Sequence, residues 1–221
     1  LNPKTFVAQL AEIRLPAVFN PYIDRCEVHD RADGPKRRRQ NLELFLEAAL
    51  DSKVQTIWIA RDLGYRGGRR TGVPLTDEVH LSQVGRLLGG LDLKRATRGP
   101  VVAERTAAVV WKVLSHLEEP VVLWNVFPFH PHEPSDQFSN RCHTREERVI
   151  SLPILQMLID MIQPRQLVAI GRDAQLALKD LKTPVAQVRH PSYGGQTEFM
   201  AGVYSLYGLN NQAGAECPVF L

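Results

Sequence analysis

Asp62, Asn125 and His190 stand at the ends of, or within, short apolar runs, where side chains of their types could act together on a ligand. A carboxylate can orient water or stabilise positive charge. An amide can read a donor and an acceptor on a planar heterocycle, and a neutral imidazole can hydrogen-bond a departing anion. The combination suits cleavage of a bond to an electron-poor base. Taken singly, each residue reads equally well as a cap or as a partner for loop backbone groups. Ser192, two residues after His190, has no convincing acid and histidine arrangement to make it a nucleophile.

The elements that must position these residues follow from apolar periodicity. Runs at 54–60, 121–126, 167–170 and 185–188 read as strands, and stretches at 79–88, 103–117 and 144–162 have helical spacing. Such alternation predicts an α/β class, a three-layer α/β/α fold with a central, mostly parallel four-stranded sheet. Thr144 with Glu147 fits a capping box, and Pro153 either kinks the long segment or starts its second helical part. Residues 199–209 predict a further helix, and 214–221 are too short and mixed to assign. No repeat or low-complexity linker divides residues 1–221, so a single domain is expected.

Two segments interrupt the pattern and read as surface loops: 30–40, with KRRR at 36–39, and 62–76, rich in glycine and carrying Arg66, Arg69 and Arg70. The second begins where a strand ends, the edge at which open α/β sheets bind ligands. Its arginines are candidates for phosphate contact, and the KRRR run for either DNA contact or a solvated face.

Composition narrows the classes. The chain of 221 residues is 44% hydrophobic, enough for a substantial core, and its net charge of +3 permits nucleic acid without requiring it. Its cysteines, Cys26, Cys142 and Cys217, lie too far apart for a short metal-ligand cluster, and His130 and His132 lack further ligands nearby. No apolar run reaches membrane-spanning length. Gly171, before Arg172 and Asp173, reads as a tight turn into a helix rather than a nucleotide-binding loop.

Several motifs, in order, resemble the uracil-DNA glycosylase superfamily: IARDLGYRGGRRTGVPLT, VVLWNVFPFHP, NRCHTREE, VAIGRDAQLAL and HPSYGG. The resemblance covers most of the chain and is a mosaic. It places Asp62 where the branch without a cluster has its water-orienting carboxylate, while Gly64 and the GVP of 72–74 resemble the iron-sulfur branches. It implies that Asn125 reads uracil, that His190 stabilises the uracil anion through oxygen, and that Ser192 contacts a DNA phosphate.

Departures from the family pattern shift other roles. Gly64 stands where a tyrosine usually excludes the thymine methyl, leaving that task to Tyr65. Leu75 replaces the usual stacking aromatic, with Phe127 or Phe129 as substitutes, although their alternation fits core packing equally well. Gly194 occupies the position of an intercalating leucine, so Tyr193 or another loop would support the flipped base.

The resemblance implies a monofunctional uracil-DNA glycosylase of base excision repair. It would be a monomer, cytoplasmic or nucleoid-associated, with uracil-containing DNA as partner, no membrane association, no cofactor, and neither metal nor iron-sulfur cluster. Release of hypoxanthine or another modified base, and a non-catalytic damaged-DNA binding module, are the alternative readings.

Overall fold

The computed structural model describes residues 1–209, so the 214–221 tail and Cys217 lie outside the described residues. Its centre is β2 (Thr56–Asp62), whose first five residues are all buried. A strand buried on both faces is what an interior parallel strand covered by helices requires. Around it stand β3 (Val122–Phe127), β5 (Gln166–Ile170) and β6 (Val185–Val188), in the order β3-β2-β5-β6 and parallel throughout. A two-stranded antiparallel ribbon, β1 (Val18–Phe19) with β4 (His130–Pro131), lies apart from this sheet.

Helices cover both faces. Ile59 is in register with Trp124, so Trp58 and Trp124 point to opposite sides of the sheet. On one side Trp58 packs against Phe199 and Tyr207, at the two ends of α8 (Gln196–Leu206). On the other, Trp124 meets Phe6 of α1 (Pro3–Glu12) at a ring-centroid distance of 5.5 Å. The remaining helices are α2 (Gly34–Asp51), α3 (Gly68–Thr71), α4 (Leu81–Leu87), α5 (Arg105–Leu114), α6 (Arg145–Ile162) and α7 (Arg172–Leu178). The expected three-layer α/β/α class is therefore the observed one.

The capping box expected at 144–147 is present: Thr144 Oγ1 accepts from Glu147 N at 3.2 Å, and Glu147 Oε2 accepts from Thr144 N at 2.6 Å. α6 then runs as one helix through Pro153.

The segment 30–40 is not a loop. Most of it is the start of α2, and Arg38 of the KRRR run is fully buried. Its guanidinium donates to both oxygens of Asp30, at 3.0 and 2.8 Å, and to Pro21 O at 2.6 Å. Arg37 pairs with Asp33, and Arg39 donates to Tyr22 O. Arg38 and Arg39 thus tie the start of α2 to residues 21–30, and of the four basic residues only Lys36 is exposed.

Candidate active site

The carboxyl ends of β2, β5 and β6 open onto one cleft of about 330 Å³. Asp62 ends β2, Gly171 follows β5, and His190 lies two residues beyond β6; all three line the cleft. Gly171 has φ +89°, and a Cβ there would lie 3.0 Å from His190 Cβ, so a glycine both makes the turn and leaves room for the imidazole. Gly171 N also donates to Val188 O at 2.9 Å, fixing the exit of β6.

His190 Nδ1 accepts the backbone N–H of Ser192 at 3.1 Å and lies 2.6 Å from Ser192 Oγ. With Nδ1 an acceptor, the proton of the neutral ring sits on Nε2, which makes no hydrogen bond to a described residue. Burial, reinforced by Arg61 and Arg189, lowers the His190 pKa to about 4. At neutral pH the cleft therefore holds an uncharged imidazole with a free N–H donor.

Asp62 is held from two sides. Its Oδ2 accepts from Arg61 Nε at 2.6 Å, and its Oδ1 pairs with His143 Nδ1. Arg61 reaches on to Asp173 Oδ2 at 2.7 Å. His143 directly precedes the α6 capping box, and the bidentate Arg141–Glu147 pair, at 2.8 and 2.6 Å, ties that loop to the helix. Within NRCHTREE, His143 carries no separate signal, because its contact with Asp62 spans 81 positions.

Asn125 stands in β3, in register with Ala60, and is buried. Its Nδ2 donates to Asp62 O at 3.0 Å, while Oδ1 is buried without a partner. A buried amide oxygen left unpaired is costly unless a donor arrives. Asn125 is not among the residues lining the cleft, although it is bonded to one that is.

Gly64, Leu75, Ser192 and Tyr193 line the cleft. Leu75 is held at φ +54°, a conformation a branched side chain rarely adopts without surrounding constraint. Tyr193, at φ +51°, is fully exposed. Tyr65 faces an adjoining groove with Arg66, and its hydroxyl lies 3.0 Å from His29 Nε2.

Four expectations do not fit this geometry. Phe127 and Phe129 are fully buried and pack on each other at 5.3 Å, and neither lines the cleft. Arg69 is buried with its guanidinium 4.0 Å from the centre of the Phe19 ring, bonded to Gln137 O and 3.0 Å from His130 Nδ1. Arg70 is buried against Glu78 at 3.1 Å. Both guanidiniums are committed to the interior, and only Arg66 of the loop arginines is exposed. Among the described residues, no group of three or more His, Cys, Asp or Glu converges as a metal site.

A family model described as the uracil DNA glycosylase superfamily matches residues 64–206, well over half of the chain. The chain belongs to this superfamily. Membership places it among the DNA glycosylases. The crystal structure of wild-type Pedobacter heparinus SMUG2 superposes with a TM-score of 0.65, covering 94% of this chain and 97% of that one at 10% identity, a likeness of fold. No curated protein matches by sequence. The family match begins at Gly64, so this glycosylase's Arg61 and Asp62 lie just outside the matched span, and their place in the cleft rests on geometry. No helix of the described residues is long and apolar enough to cross a membrane.

Proposed function

We propose that this glycosylase hydrolyses the N-glycosidic bond of uracil in DNA and leaves an abasic site. The observation that carries the reading is the pairing, in one cleft, of a fixed carboxylate with a neutral imidazole whose donor is free. Asp62 orients water toward C1′ and stabilises the cationic sugar. His190 Nε2–H donates to the uracil oxygen on which negative charge develops. A preorganised donor there needs no rearrangement as the bond breaks. Asn125 Oδ1, buried and unpaired, accepts the N3–H of uracil. Leu75 and Gly64 line the base site, Leu75 as its apolar wall.

We read the enzyme as monofunctional and cofactor-independent, working through Asp62 and His190 of the cleft lining. Tyr65 and Arg66 line the adjoining groove, where Arg66, exposed, engages the DNA backbone together with Ser192. Tyr193, presented outward from the His190 loop, takes the space vacated by a flipped nucleotide. The protein acts as a monomer on uracil-containing DNA.

Incubation with a uracil-containing oligonucleotide tests the reading. Abasic sites should form with wild-type protein and be nearly absent with Asp62→Asn and His190→Ala. Binding by wild-type protein without any base release would overturn it and favour a DNA-binding module. The leucine at 75, in place of an aromatic ring, favours a second reading, in which modified bases are also released; a panel of modified oligonucleotides separates the two.

A further inference from the structure

Glu104, the residue that precedes α5, lines the same cleft as Asp62 and His190. Its carboxyl rests on the 64–67 turn: a Cβ added at Gly64 would lie 1.9 Å from Oε1, and one added at Gly67 would lie 2.2 Å from Oε2. Glycine at both positions leaves the space the carboxyl occupies. Its backbone N–H is held by Asp77 Oδ2 at 2.6 Å, which fixes where the side chain starts. The carboxyl itself makes no hydrogen bond to any described residue, although Asp62, in the same cleft, has both oxygens engaged.

We propose that Glu104 is a base-contacting, specificity-determining residue that, as a neutral acid, donates a hydrogen bond to an acceptor on the edge of the extruded base. The inference rests on the glycosylase reading and extends it to a residue outside the recognised motifs. Burial, with a smaller contribution from Asp77, raises the Glu104 pKa to about 7, so both protonation states are populated near neutrality. The neutral form supplies a donor and tolerates negative charge developing on the base; the ionised form has no donor and repels that charge.

Other titratable or charged groups surround it. Asp77 is bonded to His80 at 2.6 Å; Tyr65 and Arg66 belong to the turn beneath; Arg61, Asp62 and His190 share the cleft. Comparison with Glu104→Gln, which keeps an N–H donor and removes only this ionisation, isolates the contribution of Glu104 from theirs.

The test is the affinity of wild-type, Glu104→Gln and Glu104→Ala proteins for free uracil, and their single-turnover rate on uracil-containing DNA, from pH 5.5 to 8. In wild-type protein both quantities should fall about tenfold between pH 6 and 8, following the neutral fraction of an acid with a pKa of about 7. Glu104→Gln should lose that fall, and Glu104→Ala should bind uracil about fivefold more weakly at pH 6. A fall that persists unchanged in Glu104→Gln, or wild-type affinity in folded Glu104→Ala, would overturn the proposal. Uracil binding that depends on Glu104 in a protein that cleaves no DNA substrate would sustain it and overturn the glycosylase reading instead.

Discussion

Replacing His143 by alanine tests whether Asp62 works because it is held. In the structure both side chains are nearly inaccessible, with 7% of His143 and 8% of Asp62 exposed, and Arg61 Nε is the other donor to the carboxylate. A hydrogen bond to a charged group contributes about 1.5–3 kcal/mol. If that contribution fixes the carboxylate where water must be held in the transition state, its loss slows base release by roughly 10- to 150-fold, at 1.36 kcal/mol per factor of ten. The same loss in the ground state lowers Tm by roughly 3–12 °C in a chain of this size. Single-turnover release of uracil from a labelled duplex, with DNA affinity measured alongside, separates the effects: the rate should fall while affinity stays within about twofold. His143→Asn, which keeps an N–H donor, should recover part of the rate. A folded His143→Ala protein releasing uracil within twofold of the wild-type rate would refute the argument and leave His143 a packing residue.

Acid pH should act on stability before it acts on His190 in the cleft. The folded-state pKa of His190, about 4, lies below its ordinary 6.5, so its contribution to stability is complete above about pH 6.5 and is lost as pH falls toward 4. Urea denaturation should show His190→Gln losing less stability than wild-type protein over that interval. An equal loss would mean that the histidine charges freely in the fold. Tyr193→Ala should leave Tm unchanged, because the side chain is fully exposed, yet slow release from duplex more than from single-stranded DNA; equal effects on both would exclude a role in flipping. Arg38→Ala strands the buried Asp30 carboxylate, a loss of about 3–5 kcal/mol that should lower Tm by roughly 6–20 °C in thermal melts.

Legibility in the sequence tracked how local the cause was. β2, β3 and β5 were readable because burial on both faces leaves continuous apolar runs, and the partly exposed edge strand β6 was nonetheless placed to the residue. The α6 capping box was readable because its partners lie three positions apart. α2 was hidden because two of its inward positions are Arg38 and Asn41, polar residues satisfied by Asp30, by Thr71 O and by Lys94 O, so its apolar stripe is broken at the start. Arg69 and Arg70 look like phosphate ligands until the fold brings distant Phe19 to the first and nearby Glu78 to the second. Phe127 and Phe129 illustrate the opposite case: the departure at Leu75 suggested one of them as a stacking ring, their alternation fitted core packing equally well, and in the fold they pack on each other. The cleft positions of Asp62 and His190 were legible through motifs, whereas His143, inside NRCHTREE but with no signal of its own, and Glu104 reach the cleft region only through tertiary proximity.

Arg61 explains why the cleft can keep a charged carboxylate and an uncharged imidazole side by side. Its guanidinium bridges Asp62 and Asp173, and after burial it is the strongest influence keeping the His190 pKa low. A carboxylate facing a histidine directly would raise the pKa of that histidine and draw a proton onto it. Here the positive charge nearest Asp62 is already supplied, by Arg61, so the imidazole remains neutral with its proton on Nε2. An imidazolium would attract the departing anion more strongly, but it would also offset the negative charge that the cationic sugar needs nearby. A neutral donor stabilises the base without weakening Asp62. That separation of roles depends on the guanidinium being half-buried and fixed by two carboxylates rather than free in solvent. Arg61, between Ala60 and Asp62, thereby pairs with the carboxylate and adds to the burial that keeps His190 uncharged.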